Sequence, residues 1–121
     1  MTLGPLENLG VLDLLAGEQA LTSEITAVPT PGHTPGHMSL RISSGGQQAV
    51  ILGDVAIHPA QVTEHDWHFA FELDQPLANQ TRREFFDRLA MEGTTVAACH
   101  FPGTGFGKIV RVEGRRYWQG F

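Results

Sequence analysis

Eight residues, Thr30-Pro31-Gly32-His33-Thr34-Pro35-Gly36-His37, constrain this chain more than any other stretch. They forbid a helix there and put two histidines on a stiff, turning segment. Pro31 and Pro35 remove backbone donors and lock φ, and Gly32 and Gly36 reach backbone angles that other residues resist. Two imidazoles on such a segment, at the end of a strand, suit metal ligation or proton transfer. The plainer alternative is a loop that happens to carry histidines.

The chain around this segment has 121 residues, enough for one domain (residues 1–121) with a real core. Its 13 acidic side chains outnumber 8 basic ones, for a net charge of −5. That balance argues against a nucleic-acid partner, which wants a basic patch. A single cysteine excludes an internal disulfide and makes a reducing, cytoplasmic setting the expectation. No apolar run approaches the roughly 20 residues of a membrane span, so no membrane partner is expected. Residues 1–10 lack a basic start and an apolar centre, so no secretory signal is expected there.

The hydrophobic pattern predicts an α+β chain, with one mixed sheet of about five to seven strands and one packed helix. Residues 6–15 are ambiguous between helix and strand. Residues 25–29 read as a strand feeding the histidine segment. Met38, Leu40 and Ile42 alternate with Ser39, Arg41 and Ser43, as on a half-buried strand. After a Ser-Gly turn, Ala49-Val50-Ile51-Leu52 is continuously apolar, which predicts a strand covered on both faces. Residues 55–75 are irregular, and a loop that long is usually functional. Residues 76–91 read as the helix, with Leu77, Phe85, Phe86 and Leu89 inward, Arg82 and Arg83 mostly solvated, and Gly93 as the stop. Residues 94–99 read as another strand. Residues 108–112 and 115–118 flank Glu113-Gly114 as a hairpin.

His33, Asp54 and His100 each follow one of these strands. Ligand-type residues at strand ends can converge on one rim of a sheet, where sites are commonly built. Singly, each has an ordinary reading: Asp54 after a glycine can close a turn, and His100 can be a hydrogen-bonded edge histidine. Cys99 should lie in the core if His100 faces the site, because neighbours on a strand point to opposite faces. Gly103-Thr104-Gly105-Phe106-Gly107 lacks the Lys-Ser/Thr ending of a phosphate loop and reads as a turn before the hairpin.

In this order the motifs resemble the C-terminal half of the metallo-β-lactamase-fold hydrolases. The His33 segment is similar to their third metal motif, Gly53-Asp54 to their bridging aspartate, and Ala98-Cys99-His100-Phe101-Pro102-Gly103 to their last histidine ligand. Val55-Ala56-Ile57-His58-Pro59-Ala60-Gln61-Val62 and the helix around Arg82 resemble the methyl parathion hydrolase-like and lactonase-like branch. The resemblance implies one half of an αβ/βα sandwich. It also implies two zinc ions, with His33, Asp54 and His100 as metal ligands and Asp54 as the bridging, catalytic carboxylate. In the family the zinc ions lower the pKa of a bridging water, whose hydroxide attacks an ester, lactone or phosphotriester. His37 is expected to support the loop by a hydrogen bond to a ligand, or else to face solvent, and His58 to border the pocket. His65 and His68 belong to a polar, aromatic loop, whose Trp67 and Phe69 could wall an apolar substrate.

The family's first metal motif is absent: no His-x-His occurs in the chain, and no histidine precedes His33. Each zinc would thus lose two of its three terminal ligands and keep the bridge. The expectation is a metal-dependent hydrolase of small molecules present as an incomplete fragment, with zinc weak or absent in this chain. The surface left by the missing half would favour a homo-oligomer. The alternative is a non-catalytic remnant or interaction module. Relatives with redox chemistry on a single iron use a similar set, but Pro59-Ala60-Gln61 and His100-Phe101-Pro102 favour the hydrolytic branch.

Overall fold

A computed structural model describes residues 3–121; Met1 and Thr2, at the head of the segment read as lacking a secretory signal, lie outside the described residues. The strands run in chain order across one seven-stranded sheet: β1 Gln19–Ala20, β2 Ile25–Pro29, β3 Met38–Ser44, β4 Gln47–Ile51, β5 Thr95–Ala97, β6 Phe106–Val112 and β7 Arg115–Gly120. All neighbours pair antiparallel except β4 and β5, which are parallel. A parallel pair needs a long crossover, and here it carries the helices α2 Ala60–Thr63 and α3 Gln75–Glu92. Of residues 6–15, read as helix or strand, only 6–8 are helical, in α1 Gly4–Asn8, and residues 11–15 are neither.

The turns follow from their residues. Gly45 and Gly46 join β3 to β4, both with positive φ, and Glu113 and Gly114 do the same for β6 and β7. Two positive φ values give the turn whose twist matches the flanking strands. Asp74 caps α3 by accepting from the Leu77 N–H at 3.0 Å, and Gly93 ends it in the left-handed region at φ 64°.

The core lies between one face of the sheet and α3. Val50, Val96 and Ile109 meet Phe85, Phe86 and Leu89, all at most 2% exposed. Phe101 and Trp118 close its end edge to face, with centroids 4.8 Å apart.

The other face differs from the sequence reading. Leu40, Ile51, Ala97 and Phe106 are register partners and share that face, yet Ile51 is 42% exposed and Phe106 53%. Among the described residues only one helical layer covers β4, so its apolar run is buried on one side alone.

Arg82 also departs from its reading as a solvated helix residue. It is fully buried, with its guanidinium donating to Glu72 Oε1 at 2.6 Å, to the Val55 carbonyl at 2.9 Å and to the His65 carbonyl at 3.0 Å. Glu72 carries no side-chain exposure either. Burial pulls the Arg82 guanidinium below its ordinary value, and the Glu72 charge opposes that shift. The helix thereby fastens the irregular segment of residues 55–74 from beneath. No helix among the described residues is long and apolar enough to cross a membrane.

Candidate metal centre

Three loops bring the chemistry to one rim. The His33 loop is held against the start of α3 by backbone bonds. Asp74 N–H donates to the Gly32 carbonyl at 3.0 Å and Leu73 N–H to the His33 carbonyl at 3.1 Å. Thr81 Oγ1 donates to the Pro31 carbonyl at 2.7 Å. Gly32 sits at φ 137°, and a Cβ there would lie 2.2 Å from the Ala78 Cα. Only glycine lets the loop approach the helix this closely.

Asp54 lies in a short 3-10 turn, Gly53–Val55, directly after β4. Its carboxylate stands between two histidines. His33 Nε2 is 3.4 Å from Oδ2, and His100 Nε2 is 2.8 Å from Oδ1. One carboxylate thus turns a different oxygen to each imidazole. Phe69 stacks on the His33 ring at 5.2 Å, and His33 Nδ1 is buried without a hydrogen-bond partner.

His37 faces the protein and not the solvent. Its Nδ1 is 3.0 Å from the Thr30 carbonyl oxygen, which can only accept, so Nδ1 carries the proton. Nε2 then accepts the Asp54 N–H at 2.9 Å. Thr30 Oγ1 lies 2.9 Å from both His37 Nδ1 and Ser39 Oγ, and Ser39 Oγ donates to the Leu52 carbonyl at 2.9 Å. Every donor in this buried chain finds an acceptor, and it grips the backbone on both sides of Gly53. A Cβ on Gly53, whose φ is 63°, would lie 2.7 Å from His37 Nε2, which explains the glycine before the aspartate.

Burial lowers the His37 pKa from 6.5, against the raising effects of the Thr30 carbonyl and the Asp54 charge. The folded state therefore prefers neutral His37. Its contribution to stability is complete above the unfolded value of about 6.5 and is lost as pH falls through the lower folded value. His37→Gln is expected to cost about 1 kcal/mol at neutral pH. Urea melts should show the gap between the two proteins narrowing from about pH 7.5 to about pH 5, since only the wild type carries the titrating ring. A constant gap would contradict the neutral assignment.

Cys99 is exposed, against the expectation of a core position. The strand ends at Ala97, two residues early, so strand alternation does not apply. Ala98 and Phe101 are 2% and 6% exposed and pin a turn closed by the Phe101 N–H on the Ala98 carbonyl at 3.2 Å. Cys99 and His100 form the tip of that turn. The donor atoms of Asp54, Cys99 and His100 all lie within 4.8 Å of one another.

His33, Asp54 and His100 border a cavity of about 490 Å³, together with Ile57, Phe69 and Phe71. Phe71 was not foreseen; its signal was the aromatic content of the loop. His58 is not part of this group. It is exposed, accepts the Ala60 N–H at 3.1 Å and lines a neighbouring cavity with Trp67 and His68. His68 Nδ1 pairs with Glu72 Oε2 at 3.2 Å.

This donor chemistry fits a divalent metal: two imidazole nitrogens flanking one carboxylate, at the mouth of a cavity with an apolar wall. No family model and no curated protein matches the chain. Solved structures do. The hydrolase AbOPH, of the β-lactamase superfamily, superposes with a TM-score of 0.83 at 25% identity over 98% of this chain and 41% of its own. AidC, a dizinc quorum-quenching lactonase in complex with a product, N-hexanoyl-L-homoserine, superposes at 0.85 with 24% identity over 98% of this chain and 42% of its own. A probable metal-dependent hydrolase from Staphylococcus aureus gives 0.79 at 18% identity, over 93% of this chain and 41% of its own. The chain thus spans about two fifths of the length of the proteins it matches. Its sheet and covering helices have the fold of one half of the αβ/βα sandwich of the metallo-β-lactamase-superfamily hydrolases.

Proposed function

We propose that this chain supplies the bridging-aspartate half of a metal-dependent hydrolase acting on a small ester, lactone or phosphotriester. The observation that carries this reading is the placement of the His33 and His100 Nε2 atoms on different oxygens of Asp54. His33, Asp54 and His100 would hold metal, with zinc the preferred ion by analogy with the dizinc lactonase. A bound ion would supply Lewis-acid polarisation and activation of water. Asp54 would orient the donors on both its sides, and His37 would fix the Asp54 backbone by accepting its N–H. Ile57, Phe69 and Phe71 would receive the apolar part of the substrate and exclude water from it.

Alone, the chain lacks the donors that a first metal motif brings. Catalytic zinc usually takes three protein ligands and keeps an open position, and two such sites cannot be filled from His33, Asp54 and His100. The 121-residue chain with added zinc is therefore expected to hydrolyse lactones and aryl esters little or not at all. Its open sheet face, with Ile51 and Phe106 exposed, is expected to pair with a second copy. Steady-state assays and light scattering on the same preparation check both. A monomer that holds two zinc ions and turns over a lactone at enzyme-like rates would overturn the fragment reading.

A further inference from the structure

We infer that Cys99 is a metal ligand, and that Asp54, Cys99 and His100 together take one thiophilic divalent ion. The inference rests on the metal-centre reading above and adds to it a thiolate. Weak metal binding was expected from His33, Asp54 and His100 alone, and none of those is a sulfur donor. Zinc–donor bonds of about 2.0–2.3 Å place neighbouring donors of a tetrahedral ion roughly 3.5 Å apart. The donor atoms of these three residues already lie within 4.8 Å of one another. The remaining adjustment falls mainly on Cys99, held only by a weak contact, because His100 Nε2 already lies 2.8 Å from Asp54 Oδ1. The Asp54 and His100 side chains are 36% and 50% exposed, and Cys99 is exposed too.

The backbone beneath them is fixed. Buried Ala98 and Phe101 anchor the turn that carries Cys99 and His100. The His37 bond to the Asp54 N–H anchors the other side. Cys99 Sγ sits 3.9 Å from the Gly53 carbonyl oxygen, a weak contact that a metal bond would readily replace. His33 stays on the far oxygen of Asp54 and holds the carboxylate in place. The set of one carboxylate, one thiolate and one imidazole selects zinc, cadmium or cobalt over magnesium or calcium, which prefer oxygen donors.

Cobalt(II) titration of the whole chain under a non-thiol reductant tests this. The wild type should develop a near-ultraviolet thiolate-to-cobalt charge-transfer band that saturates at one ion per chain. Cys99→Ser, at an exposed position where refolding is not at risk, should lose the band and bind at least about 100-fold more weakly, the upper end of the loss from removing a supporting contact to a ligand. Circular dichroism would verify that its fold is kept. Cobalt bound without the band, with equal affinity in Cys99→Ser and loss in Asp54→Asn, would overturn the thiolate assignment and leave the histidine–aspartate centre standing. No cobalt binding by the wild type would overturn the thiolate assignment alone, because a chain short of the first-motif donors is expected to hold metal weakly or not at all.

Discussion

Replacing Arg82 by methionine is expected to cost about 3–5 kcal/mol of folding stability, the range for breaking a buried ion pair from one side. Methionine fills much of the volume but donates nothing. Glu72, with no side-chain exposure, would keep a buried carboxylate with His68 as its one remaining side-chain partner, and the Val55 and His65 carbonyls would lose their donor. The loss reaches function through the loop that these bonds secure, because residues 55–74 carry Ile57, Phe69 and Phe71. Adding Glu72→Gln to the variant should recover part of the loss, since it removes the buried charge but not the orphaned carbonyls. Urea unfolding of the three proteins would show this order, and limited proteolysis should cut the single variant first within residues 55–74. A single variant within about 1 kcal/mol of the wild type would contradict the role given to Arg82.

Gly32→Ala is expected to be comparably damaging for a different reason. Its Cβ would lie 2.2 Å from Ala78 Cα and 2.4 Å from Ala78 N, both backbone atoms of α3 that cannot rotate away. Alanine is also strained at φ 137°. Strain and overpacking together come to roughly 3–5 kcal/mol, unless the loop lifts off the helix. Lifting would carry His33 away from Asp54, so the variant loses either stability or the pairing at 3.4 Å. Thermal unfolding reads the first outcome and the His33 imidazole resonances read the second. A variant unchanged in both would refute the close packing.

Sequence reasoning succeeded where local chemistry decides the structure. The two hairpins follow from Gly45-Gly46 and Glu113-Gly114, and α3 from its apolar side and Gly93 stop, while its Asp74 cap went unread. The meeting of His33, Asp54 and His100 at one rim was legible because each follows a strand, although the turning of a separate Asp54 oxygen to each imidazole became visible only with all three loops in place. The misses have distant causes. Arg82 reads as a surface charge because its partner Glu72 lies in the irregular loop, and no helical periodicity announces that pair. Cys99 was assigned by strand alternation past the point where β5 stops. The Ala49-Val50-Ile51-Leu52 run is apolar enough for two covered faces, and its composition cannot tell whether this chain brings the second layer.

The assignment of His33, Asp54 and His100 to one centre is tested most directly by titrating the chain with zinc while following its histidine ring resonances. The His33 and His100 signals should shift together and saturate at the same zinc concentration, while those of His58, His65 and His68 stay in place; Asp54→Asn should abolish the joint response. If the His58 or His68 signals moved while His33 and His100 did not, the metal centre would lie elsewhere and the hydrolase reading would fall with it.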